Sequence, residues 1–175
     1  LHVRDPSQDG GLMAVIEAIQ TTYLEADAAS VTFSSLGSYE HLQIRVSVIG
    51  TSGLQNALYY LNGDTTGGNY ARHYMYGGGS STYAAAVTGS PMWGLVPAST
   101  ANPTYGCAVI DILDYRNTNK NTTLTGFYGQ TAADIYSFFA SSLWDNTAAV
   151  TSVQLLPAAG SFGRGSEFTL YGIQE

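Results

Sequence analysis

Few side chains in this 175-residue sequence are suited to making or breaking bonds. Asp111 and Asp114 lie three apart, so in a strand they point to opposite faces and cannot work as a paired acid and base. Asp64 falls in a glycine-rich turn, and Asp134 and Asp145 flank a strand; carboxylates so placed bond nearby backbone N–H groups. The run NGDTTGGN, Asn62–Asn69, offers oxygen ligands. It lacks the spaced acids and terminal bidentate glutamate of a helix–loop–helix calcium site, and it reads better as a hairpin connection. A hydrolytic triad would need His41 or His73 as its base, and no Gly-x-Ser-x-Gly elbow supplies the nucleophile. His73, with Ala71 and Met75 beside it in the alternation, reads as a hydrogen-bonded core or interface histidine. Cys107 is the single cysteine, which excludes an internal disulfide or a cysteine-based zinc site. It reads as a small buried hydrophobe. No phosphate loop or dinucleotide fingerprint occurs. The sequence therefore leads us to expect no catalytic residue, metal site or cofactor.

Tyrosine is the abundant chemistry, with 13 copies. Tyr59, Tyr60, Tyr70, Tyr74, Tyr76, Tyr83 and Tyr105 fall in the first two thirds of the chain. A tyrosine joins a flat apolar body to a polar tip, so an exposed set can stack on sugar rings or anchor a protein interface. The same residues could instead pack against one another across strands. Tyr59, Tyr70, Arg72, Tyr74 and Tyr76 are the candidate interaction surface.

The elements that would carry these residues are strands. Ser (17), Thr (18) and Gly (20) dominate, whereas charged residues make up 11% of the chain, against about 25% in an ordinary soluble domain. Thr, Tyr and Val favour pleated, half-buried positions, so the chain reads as all-β. Strands are expected at Val15–Leu24, Ser30–Ser34, His41–Ile49, Gln55–Leu61, Asn69–Tyr76, Gly106–Tyr115, Thr122–Tyr128, Ile135–Leu143, Ala149–Leu156 and Glu167–Ile173, about ten in all. The unbroken apolar run in Gly106–Tyr115 suggests a strand buried on both faces. Residues 77–104, with Gly77–Ser81, Pro91, Pro97 and Pro103, read as a long loop with one strand near Tyr83–Val87. Residues 1–12 are polar and aperiodic, and read as an extended arm or linker before a domain spanning 13–175. Net charge is −7 and Lys120 is the only lysine, so a row of phosphates has nothing to meet; nucleic acid is excluded as a partner. No apolar run approaches the ~20 residues of a membrane span.

Read in order, five segments resemble a domain of tailed-bacteriophage particle proteins: Ser30–Val46 (SVTFSSLGSYEHLQIRV), Leu61–His73 (LNGDTTGGNYARH), Val109–Phe127 (VIDILDYRNTNKNTTLTGF), Ser141–Leu155 (SSLWDNTAAVTSVQL) and Phe168–Ile173 (FTLYGI). The likeness runs from about Met13 to the C-terminus. It implies a jelly-roll-like antiparallel β-sandwich with a non-enzymatic structural role in the virion, as a capsid decoration or head-fibre protein. Other virion proteins would be the partners, the N-terminal arm the anchor, and a homotrimer the assembly. The alternatives are a receptor-binding tail-fibre tip, or a carbohydrate-binding module, contacting host surface glycans through the tyrosines. The resemblance carries no catalytic residue to any position here.

Overall fold

The alternation of apolar and polar residues becomes an alternation of buried and exposed ones. In β3 (His41–Val48) Leu42, Ile44, Val46 and Val48 are buried, whereas Arg45 and Ser47 are exposed. A computed structural model describes residues 15–91, 93–96, 104–131 and 136–174. The expected arm, residues 1–12, lies outside the described residues, as do Met13, Pro97, Pro103 and Asp134. Besides β3 the described strands are β1 (Val15–Tyr23), β2 (Val31–Phe33), β4 (Gln55–Leu61), β5 (Tyr70–Gly78), β6 (Ser81–Thr88), β7 (Trp93–Val96), β8 (Gly106–Ile112), β9 (Thr122–Gln130), β10 (Tyr136–Trp144), β11 (Val153–Pro157) and β12 (Glu167–Gln174).

Pairing defines the architecture. With the β5–β6 and β9–β10 hairpins set aside, the remaining strands pair first with last: β1 with β12, β2 with β11, β3 with β8, and β4 with β7, all antiparallel. Pairings of β12 with β3 and β11 with β4 then join them into two sheets. This is one long hairpin folded over on itself, the jelly roll. The two extra hairpins lengthen one sheet to eight strands, in the order β1-β12-β3-β8-β9-β10-β5-β6, facing a four-stranded sheet, β2-β11-β4-β7. The core lies between the sheets, with Phe33, Leu42, Ile44, Leu61, Ile110, Ile112, Trp144, Phe162 and Phe168 almost wholly enclosed.

Three expectations need correction. Twelve strands are described rather than about ten, because residues 77–104 hold two strands, β6 and β7. Gly77–Ser81 is no loop: it closes the β5–β6 hairpin through Gly79 and Ser80, with Gly79 at φ +57°. Glycine takes that left-handed conformation without a Cβ clash, which is what a tight primed hairpin turn needs. Finally, β8 is buried on one face only. Ala108, Ile110 and Ile112 point into the core, but Cys107 and Val109 are exposed, since no described layer covers the outer side of the eight-stranded sheet.

Tyr39 closes one end of the core by lying over the backbone of β12. A Cβ on Gly172 would fall 2.1 Å from the Tyr39 ring, whose hydroxyl donates to Glu17. Gly172→Ala is therefore expected to displace the ring and lower stability by about 1–3 kcal/mol in chemical denaturation. In a Tyr39→Ala background the same change should cost much less, and an equal cost in both backgrounds would contradict the contact.

Candidate interaction surface

The extension made by β9, β10, β5 and β6 carries most of the residues selected from the sequence. Cross-strand register sorts them onto two faces. Tyr128, Phe138, Tyr76 and Tyr83 are successive partners across the four strands and share the inward side. Phe127, Phe139, Met75 and Ala84 are the next set of partners, and they share the outward side.

On the inward side the rings form a continuous run. Tyr59 meets Tyr128 at 6.3 Å between centroids, Tyr128 meets Phe138 at 5.7 Å, and Phe138 stacks on Tyr74 at 5.4 Å and Tyr76 at 5.9 Å. Tyr76 meets Tyr83 at 5.4 Å, where the run reaches solvent. Arg72 lies over the Tyr74 ring and donates to the Ser90 hydroxyl and to the Pro91 carbonyl. Arg72, Tyr74 and Tyr76 are half-buried by these contacts.

Tyr59 and Tyr70 do not belong to any surface. Each is only 2% exposed. Tyr59 projects from β4 between the sheets, where burial pushes its phenol well up from its ordinary value. Tyr70 opens β5, and its hydroxyl accepts from the Leu61 N–H and donates to the Asp64 carbonyl. Desolvation raises it to about 12. Both are core residues because the parity of β4 and the start of β5 points them inward.

The outward side is different in kind. Phe127 is 64% exposed and Met75 52%. With Phe139, Ala84, Ser137 and Thr82 they line a hollow of about 690 Å³. A second hollow of about 310 Å³ follows on the same face, lined by His73, Ala86, Thr123, Ser141 and Leu143. His73 is thus exposed on this face and is no core histidine. Across the outward positions of β9, β10, β5 and β6 there is no Asp, Glu, Lys or Arg. Phe127, Phe139 and Met75 were not among the residues picked from the sequence. A signal for them exists: Phe127-Tyr128 and Phe138-Phe139 are adjacent aromatics in strands, so one ring of each pair must face outward.

The titratable residues are occupied in turns. Asp64 accepts from the Thr66 N–H, Asn69 Nδ2 and Trp144 Nε1, at 2.8–2.9 Å. Donation from Asn69, then from Trp144 and Thr66, lowers its carboxyl to about 2. Glu40, His41 and Asp114 bring ligand atoms within 4.8 Å of one another. Yet the Asp114 N–H donates to His41 Nδ1 at 3.0 Å, and Lys120 pairs with the Asp114 carboxylate and holds it below its usual range. An ammonium on that carboxylate opposes a cation there, so the group works as a tie between β3 and the turn after β8. Asp114 sits in that turn at φ +50°, outside the strand expected for it. Asp111 remains on β8, where it accepts from Gln43. Asp145 follows β10 and accepts from Asn121.

Comparison with protein-family models, curated protein sequences and solved structures gave no match.

Because the Asp64 carboxyl is lowered on folding from 3.8 to about 2, its contribution to stability is complete above pH 4 and declines as the pH falls towards 2. Asp64→Ala should cost about 1 kcal/mol at neutral pH, after solvent screening of a partly exposed group, and should flatten the loss of stability between pH 4 and pH 2. Urea denaturation across that range tests this; an unchanged acid limb would show that Asp64 does not bind its donors.

Proposed function

We propose that this chain is a non-enzymatic structural protein of a tailed-phage particle. It would serve as a capsid decoration or head-fibre protein, held to the particle through residues 1–12 and acting as a homotrimer. The observation that carries the reading is the uncharged outward face of the four-strand extension. There a jelly roll presents exposed Phe127 and Met75 around an apolar hollow instead of a polar cleft. Such a face suits contact with protein, since shape and apolar burial decide the strength of an interface core. The sugar-binding alternative draws less support. Two of its tyrosines, Tyr59 and Tyr70, are enclosed, and Tyr74 and Tyr76 spend much of their ring surface on Phe138 and each other. The carboxylates that could serve an enzyme hold turns and strand ends together instead.

Gold-labelled antibody imaging of purified particles tests the reading. Label on the head is the expected result, label on the tail would favour a tail-fibre role, and unlabelled particles would overturn the virion assignment. Deleting residues 1–12 should leave a domain with unchanged circular dichroism that no longer joins particles. Normal incorporation of the deletion variant would remove the arm from its anchoring role.

A further inference from the structure

We propose that the outward face of β9, β10, β5 and β6, together with the open edge of β6, is covered by a second copy of this chain. The inference deepens the structural-protein reading by giving the surface through which copies meet.

No residue of β6 is buried; six of its eight residues are exposed and the other two half-buried. On its outward face Thr82, Ala84, Ala86 and Thr88 are all exposed, and a strand fixed in place with one face bare loses conformational entropy and gains little from burial on that side. In addition β6 ends its sheet, so one row of its N–H and C=O groups has no neighbouring strand among the described residues. Proteins commonly protect such edges with charged residues, proline or a bulge. The sequence STYAAAVT has none of the first two, and its pairing with β5 runs in unbroken register. Nothing in β6 opposes the approach of another strand.

Charge favours a like copy over a foreign partner. The chain carries a net charge of −7, so two copies meeting through an average part of the surface repel each other. The outward positions of the extension avoid this, because His73 is their only titratable side chain apart from the hydroxyls. On the same eight-stranded sheet, acidic and basic residues such as Glu167, Arg45 and Asp111 face outward on the other strands. A partner of strong charge would find nothing here to match it.

The face is also large enough. Four strands spaced about 4.8 Å apart and about 26 Å long present a face of roughly 500 Å². With the flank and edge of β6 added, this nears the ~800 Å² per partner of a standard stable interface. The larger hollow is lined by Phe127, Phe139 and Met75, midway along β9, β10 and β5, and desolvated anchors away from the rim contribute most.

Analytical ultracentrifugation of the full chain over a concentration series tests the proposal, with Phe127→Glu, Met75→Glu and Ile16→Glu alongside. Phe127, Met75 and Ile16 are each more than half exposed, so the variants should fold, and near-ultraviolet circular dichroism checks that they do. Wild type and Ile16→Glu should associate, whereas Phe127→Glu and Met75→Glu should sediment as monomers. Hydrogen exchange should show the β6 amides on the free edge, those not bonded to β5, protected in the wild type and unprotected in Phe127→Glu. A wild type that is monomeric throughout overturns the proposal. So does association that survives both Phe127→Glu and Met75→Glu but is lost in Ile16→Glu, which would move the interface to the β1 edge. Either failure leaves the particle-labelling result untouched, so loss of this surface and loss of the virion reading can be told apart.

Discussion

Most strands of the jelly roll bury one side chain in two between the sheets, and this period-two burial governs the rest of the molecule. Each strand's parity follows from it: Leu42, Ile44 and Val46 point in, so Gln43 and Arg45 point out, and a one-residue slip would reverse all of them. First-with-last pairing follows as well, since a folded double hairpin brings β12 between β1 and β3 and β11 between β2 and β4. Phe162 and Phe168, in contact at 4.9 Å, fill the core beside the end of β3, and Phe162 bridges to Ala28 and Gly50.

The same constraint explains why the extension is unusual. In the jelly roll proper, the four-stranded sheet covers the inward face of its partner. The eight-stranded sheet is twice as wide, and its inward side at β5 and β6 relies on its own aromatic rings for cover. Tyr74, Tyr76 and Tyr83 pack on Phe138 and on one another, turning tyrosine's flat apolar body into a local core with polar rims. The outward side has no such cover among the described residues. It carries small, uncharged residues and a few large apolar ones, Phe127 and Met75 among them.

Polar residues do a separate job at the ends of the strands. Asp64 gathers the Asn62–Asn69 turn and the tip of β10 through Trp144, and Tyr70 joins the same turn to the end of β4. Asn62, at φ +53°, donates to the Ala149 carbonyl and accepts from the Thr151 and Ser152 N–H groups. These bonds hold the loops that connect the two sheets. They use the side chains that a sequence reader would first suspect of catalysis or calcium binding, because carboxylates and amides that satisfy backbone N–H groups are the same residue types that hold ligands.

Local pattern alone made much of this protein legible. Alternation and turn residues place β3, β4, β5, β9, β10 and β12 within a few residues, because burial on one face leaves a period of two in the sequence itself. Turn chemistry likewise marked Asp64 as a structural residue. Alternation does not say which parity faces the core when both positions are apolar or aromatic, and there only the tertiary structure decided. Tyr59 and Tyr70 went inward, Cys107 and His73 outward, and of the adjacent pair Phe127-Tyr128 the phenylalanine was left to solvent. The placement of β6 was equally beyond the sequence, since its small neutral residues have no inward preference of their own. Its position at the open end of the sheet comes from hydrogen bonding to β5, a pairing with a partner that the strand's own residues do not name.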